Sequence, residues 1–299
     1  LVLSKVTALS YGFPARTMTS TNIIASTNSI PQVADVQLTY SGVLANHKFI
    51  SLVDSTLNSK DPCADGSVAA ASADATHSGK VQAGGNDKAV TIPQSTLLDA
   101  AKIYAVCYAE INGLTTDTTW ADSYIRLKIS KVYSVSSHAV TTYTSGQLAR
   151  TAALLVTYAG SLAANRWVSL VDQTLGSNLP CATGSIAAAS ADTQHSGSKE
   201  ASTRTITVAT TGMSTAKTFA VCYTEAVGDD SATWIDSGIR VVLSKVTSIS
   251  YGAPARTMTS ANMMSATNSI PQITNVQLTY SGDLANNKFI SLVDSTLNS

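Results

Sequence analysis

Between Val36 and Ser41 apolar and polar residues alternate, with Val36, Leu38 and Tyr40 set against Gln37 and Thr39. A period of two predicts a half-buried strand. Phe49 to Val53 is apolar on both sides except at Ser51, as in a more central strand. Ala89 to Ile92 is a short strand bounded by Pro93. Lys102 to Glu110 contains IYAVCYA, the strongest strand signal. Ser123 to Lys131 alternates, with Ile125, Leu127 and Ile129 on one side and Arg126 and Lys128 on the other. Val2 to Leu9 reads as the first strand. Turn residues punctuate these runs at Gly12-Phe13-Pro14, Ser41-Gly42, Asp61-Pro62, Gly84-Gly85-Asn86 and Asn112-Gly113. Val68 to Ala73 fits a short edge strand or loop, and Ser95 to Ala101 has room for one helical turn. No segment sustains helical periodicity over the roughly 10–12 residues a helix needs.

The pattern recurs. The first 59 residues return as the last 59 at an offset of 240, with about three-quarters of positions identical. PARTMTS starts at Pro14 and Pro254, and FISLVDSTLNS at Phe49 and Phe289. A weaker repeat lies halfway: VQLTYSG from Val36 matches LLVTYAG from Leu154, and KFISLVDSTL from Lys48 matches RWVSLVDQTL from Arg166. Cys63 answers to Cys181, Cys107 to Cys222 and Trp120 to Trp234, and Ser-Lys-Val stands at Ser4, Ser130 and Ser244. The unit is about 114 to 126 residues, and two different units make one period. Residues 1–4 are expected to end a preceding unit, 5–126 and 127–240 to form two domains, and 241–299 to form the first half of a third. A window on a longer tandem array is the expectation. The alternative is that another chain supplies the strands the half-unit lacks.

Six or seven short strands in about 115 residues indicate an all-β sandwich. The unit resembles the immunoglobulin and fibronectin type III class in strand count, spacing and size. The expected architecture is therefore tandem Ig-like β-sandwich domains of about 115–125 residues, directly linked. The cysteines depart from true immunoglobulin domains, which carry one on an early strand and one on the penultimate strand. Here Cys63 follows the third strand, in an Asp-Pro-Cys turn.

Four cysteines at repeated spacing imply disulfides. Pairing within a unit, Cys63 with Cys107 and Cys181 with Cys222, lets each unit fold by itself. Tyr104, Val106 and Tyr108 share one strand face, and Cys107 shares the other with Ala105. The bond is therefore expected on the side away from the core. The rival is a redox or metal site, but no CxxC occurs and no His lies near a Cys in sequence.

Composition narrows the functions. The chain has 19 basic and 19 acidic residues, no net charge and only 13% charged residues. It has no electrostatic footprint for nucleic acid and no apolar run of the roughly 20 residues a spanning helix needs. His77 and His195, in His-Ser-Gly, read as solvated turn residues. His47 becomes Asn287 in the close repeat, and His138 stands alone. Asp54, Asp172 and Asp294 recur in Leu-Val-Asp and read as turn caps; no GxSxG elbow accompanies them. Asp61 and Asp65 hint at calcium, but the second unit has no carboxylate there. Asp229-Asp230 reads as loop solvation. Trp120 and Trp234 either stack on a ligand or plug the sandwich core, with Arg126 and Arg240 over the rings. N-glycosylation sequons are absent, and the Thr115–Thr119 run is a candidate for O-linked sugars.

No catalytic constellation, metal set or cofactor motif emerges, so no enzyme is expected. Linkers are almost absent, because the last strand of one unit runs through Ser-Lys-Val into the next. The expected function is a structural repeat segment of a secreted filament or surface appendage, with neighbouring repeats and other copies as partners. The alternative is a cell-surface adhesin or carbohydrate-binding tandem module, with surface glycans as partners.

Overall fold

A computed structural model describes residues 3–22, 27–85, 88–93, 98–262 and 267–294. In the first unit the strands are β1 (Ala8–Tyr11), β2 (Arg16–Thr19), β3 (Ser29–Ile30), β4 (Val36–Ser41), β5 (Phe49–Asp54), β6 (Val81–Gln82), β7 (Ala89–Ile92), β8 (Ile103–Ala109) and β9 (Ala121–Ile129). They form two sheets, β2-β1-β4-β7 and β3-β9-β8-β5-β6. Strand β3 leaves the first sheet to pair parallel with β9, while the other pairings are antiparallel.

The second unit repeats this order one for one. Its strands are β10 (Val132–Ser137), β11 (Val140–Thr142), β12 (Ser145–Leu148), β13 (Leu154–Gly160), β14 (Trp167–Asp172), β15 (Lys199–Glu200), β16 (Thr205–Val208), β17 (Thr218–Thr224) and β18 (Ile235–Leu243). The sheets are β11-β10-β13-β16 and β12-β18-β17-β14-β15. The chain is all-β, with tandem immunoglobulin-like sandwiches.

Each sandwich buries its own core. The first runs from Val6 to Ile129 and is filled by Leu9, Met18, Leu38, Tyr40, Ile50, Leu52, Tyr104 and Val106, among others. The second runs from Val132 to Leu243. The boundaries expected after residues 126 and 240 fall inside β9 and β18, because both strands continue to the last core residue. The alternation in β4 appears as buried Val36, Leu38 and Tyr40. Strand β5 is buried on both faces, because the connection from β5 to β6 crosses the outer side of its sheet.

Two local expectations change. The segment around Val68 is neither strand nor plain loop but a helical turn at Gly66–Ala69, capped by Asp65. The first strand begins at Ala8, later than the Val2 to Leu9 run suggested. The helical turn expected within Ser95 to Ala101 lies partly outside the described residues.

The third unit supplies β19 (Val246–Tyr251), β20 (Arg256–Thr259) and β21 (Thr279–Gly282) in one sheet, β20-β19-β21. Leu52 and Val53 are fully buried in the first unit, yet their repeats Leu292 and Val293 are 62% and 69% exposed. Near-identical sequence gives opposite burial, because the opposing strands decide it.

Candidate functional site

The outer face of the second sheet carries a second, smaller core. On β8 the inward residues are Tyr104, Val106 and Tyr108, while Ala105, Cys107 and Ala109 face outward. Small outward residues let the β5–β6 connection lie close. Cys63 on that connection bonds Cys107, with Cα atoms 5.3 Å apart. Cys181 bonds Cys222 in the same way. Both bonds lie on the side away from the main core, as strand parity indicated.

Trp120 and Trp234 pack on these disulfides, against Ala69 and Ala105 in the first unit and Ala187 and Ala220 in the second. They are 7% and 1% exposed. Their indole N–H groups donate to Leu114 O (3.0 Å) and Asp229 O (2.9 Å). The rings therefore neither plug the sandwich core nor offer a face to a sugar; they close the disulfide layer. Arg126 and Arg240 do not lie over them. Each makes a two-pronged ion pair four residues back, to Asp122 and Asp236, at 2.8 and 2.6 Å.

The remaining polar candidates are structural. Asp54 ends β5, where its carboxylate accepts from Thr56 N and Oγ1 and pairs with Lys102 at 2.5 Å. Asp172 does the same with Thr174, Lys217 and Gln194. Burial opposes ionisation of Asp172, but the hydrogen bonds from Lys217, Thr174 and Gln194 prevail and hold its pKa at about 2.

His77 and His195 are not solvated. Each side chain is 11% exposed, with Nδ1 on the carboxylate of Asp74 or Asp192 and Nε2 buried without a partner. Position 47 requires a left-handed backbone, with φ of 59° at His47, 56° at Asn165 and 61° at Asn287. That explains why His and Asn exchange there. Asp65 caps the helical turn. Asp229 accepts from Ser231 and shapes the turn that receives Trp234. Asp117, inside the Thr115–Thr119 run, is buried and accepts from Asn112, Gly113 and Thr119. Among the described residues no three His, Cys, Asp or Glu side chains gather as a metal set.

The arrangement with the most organisation is the junction between units. Only Ser130 and Lys131 separate β9 from β10. Ser130 N–H donates to Ile30 O of the first unit, at 2.9 Å. Lys131 N–H donates to Tyr223 Oη of the second unit at 2.8 Å, and its ammonium pairs with Glu225 at 2.8 Å. Ser130 Oγ folds the step by bonding both N and O of Val132. The same staple recurs at Ser4-Lys5, with Tyr108 and Glu110. The Ser-Lys-Val repeat is thus a junction motif.

Beside it, the β1–β2 hairpin of the first unit docks on β18 of the second. Arg16 lies over the Tyr11 ring at 4.1 Å and brings Nε to 4.0 Å from Asp236, which Arg240 already holds. Arg16, Asp236 and Arg240 are 5%, 7% and 8% exposed. Burial, followed by the charge of Asp236, raises the Tyr11 pKa to about 12. In the third unit Arg256, the repeat of Arg16, is exposed and lies 5.7 Å from the Tyr251 ring centroid. A groove of about 1140 Å³ opens at the junction, with Phe13, 94% exposed, on its rim.

The second unit meets the third through its own hairpin. His138 Nε2 donates to Ser260 O at 3.0 Å, and Arg150 pairs with Asp283 at 2.8 Å. Sequence reading missed Tyr11, Arg16, Asp236 and His138, since no pattern within a strand marks a contact between units. Tyr223 and Glu225 carried a signal, because Lys-Val and Tyr-x-Glu recur together in both complete units.

No family model matches the chain, and no curated protein matches it. Among solved structures, a marsupial T cell receptor is similar over 75% of this chain and 74% of its own, at 11% identity and a TM-score of 0.21. Each complete unit is immunoglobulin-like by its own strand order and pairing.

Proposed function

We propose that the chain is a structural repeat segment of a secreted filament or cell-surface appendage and carries no catalytic step. The junction carries this reading. A two-residue linker tied to both neighbours, beside a buried Arg16–Asp236–Arg240 contact, holds consecutive sandwiches in one orientation. Short stiff connections of this kind transmit direction along a chain, whereas Gly/Ser linkers do not. Two disulfides fit an extracellular setting. Low charge favours lateral association, and repeated heterologous contacts build open filaments. Exposed Thr115, Thr116 and Thr118 offer attachment points for O-linked sugars.

The test is small-angle scattering on the purified chain, with negative-stain imaging of the protein from its source. The expected result is a stiff rod in solution and fibres whose axial repeat equals one or two sandwiches. A scattering profile of freely jointed domains would overturn the reading. The exposed Phe13 and the groove beside it favour one second reading, an adhesin that takes a surface glycan there. A glycan array probed with wild type and Phe13→Ala separates the two.

A further inference from the structure

The last strands of the two complete units carry the same bulge with one difference. The first reads Asp122-Ser123-Tyr124-Ile125-Arg126, and the second reads Asp236-Ser237-Gly238-Ile239-Arg240. In each, the Asp carboxylate accepts from the backbone N–H two residues on, at 2.7 Å for Tyr124 and 2.8 Å for Gly238. In each, the Ser hydroxyl accepts from the following Ile N–H, at 3.1 and 3.2 Å. The ladder with the neighbouring strand slips at the same place. The central residue is left-handed in both, with φ of 62° at Tyr124 and 86° at Gly238.

What faces the central residue differs. Gly238 lies under Pro31 of the first unit, and a Cβ there would stand 2.7 Å from Pro31 Cβ. A side chain at 238 therefore collides with the first unit's edge. Tyr124 is 62% exposed. A left-handed tyrosine is strained, and strain kept at an exposed aromatic points to a role outside its own sandwich.

The matching edge differs as well. Ser130 N–H bonds Ile30 O, and Ser244 N–H bonds Leu148 O. This register makes Ala149 the second unit's counterpart of Pro31. The kind of unit with Pro at the edge meets Gly, and the kind with Tyr on its last strand is paired in sequence with one whose edge is Ala. The second unit also shows part of its own seat, since His138 bonds the carbonyl of Ser260, the repeat of Ser20 in the first unit.

We propose that residues 124 and 238 select which kind of unit can dock. The face of Ser20, Asp122, Tyr124 and Arg126 takes the His138 hairpin and Ala149 edge of a unit of the second kind. The Gly238 face takes the Pro31 edge of a unit of the first kind. A tyrosine at 124 then excludes a proline edge, so two units of the first kind cannot dock in succession, while the glycine at 238 admits the Pro31 edge. The proposal rests on the stiff-rod reading, in which docking persists in solution.

The experiment is hydrogen exchange with small-angle scattering on the full chain, as wild type, Gly238→Tyr, Pro31→Ala and the double variant. In wild type the Tyr11–Arg16 hairpin and β3 should be protected and the chain stiff. Gly238→Tyr should lose that protection while both disulfides and the strand content persist. Adding Pro31→Ala should restore it, and Pro31→Ala alone should leave docking intact. If Gly238→Tyr does not fold, Gly238→Ala with and without Pro31→Ala gives the same comparison through a single Cβ. Wild-type protection retained in Gly238→Tyr, or no recovery in the double variant, would overturn the pairing rule while leaving the rod intact. An unprotected, flexible wild type would overturn the rod reading with it.

Discussion

Single side chains at the strand ends act as clamps. Asp172 receives Lys217, Thr174 and Gln194 at the end of β14, and its carboxyl stays ionised down to about pH 2. Its ordinary value is 3.8. The folded state therefore binds its proton later than the unfolded one. The clamp contributes its full stability above the ordinary value and loses it as pH falls toward 2. Urea melts at pH 7, 4 and 2.5 should show this loss in wild type, and Asp172→Asn should be less stable at pH 7 with a flatter acid limb. Asp54 repeats the device with Lys102. The capping role of these residues was legible, because a carboxylate after a strand and before Thr has one common use. The lysine was not, since it arrives from 45 residues away in the second unit. His77 misled for a similar reason. Its Ser-Gly neighbours suggested water, but its bridge to Val53 draws it under the connection.

At the scale of elements, the disulfide layer is a third stratum on an otherwise two-layered sandwich. Closing a loop of about 40 residues stabilises each unit by roughly 3–4 kcal/mol in the chain-entropy model. Replacing both Cys63 and Cys107 with Ala should lower the first unit's unfolding free energy by about that amount. It should also shift Trp120 emission to longer wavelength as water reaches the ring. Equal denaturant midpoints with and without the bond would refute this. Strand identity and the facing of the cysteines could be read from alternation, because the inward face is large and the outward face small. That Trp120 caps this layer could not. A tryptophan before the last strand satisfies either side, and only the Ala105–Ala109 surface decides between them. The Gly66–Ala69 turn escaped notice because a single helical turn leaves no period to detect.

At the scale of the whole molecule, the contact between the first two units lies where water barely reaches. Ions screen exposed charges far more than buried ones, so the Arg16–Asp236–Arg240 contact should withstand salt. Scattering at 0.05 and 1 M salt should give one shape for wild type, whereas Arg16→Ala should broaden the distance distribution at both. A shape that loosens in wild type with salt would place the stiffness in the exposed Lys131–Glu225 pair instead. The position of the disulfides has a mechanical consequence. In a chain pulled from its ends, tension would enter a unit near β1 and leave through β9, and Cys63 and Cys107 lie between those points, 44 residues apart. A unit pulled open can pay out the chain on either side, but the enclosed segment stays locked, withholding about 150 Å of contour at roughly 3.5 Å per residue. Each unit would then act as a limited-slip fuse under load, and force–extension traces should lengthen per rupture by that amount once a reductant is added.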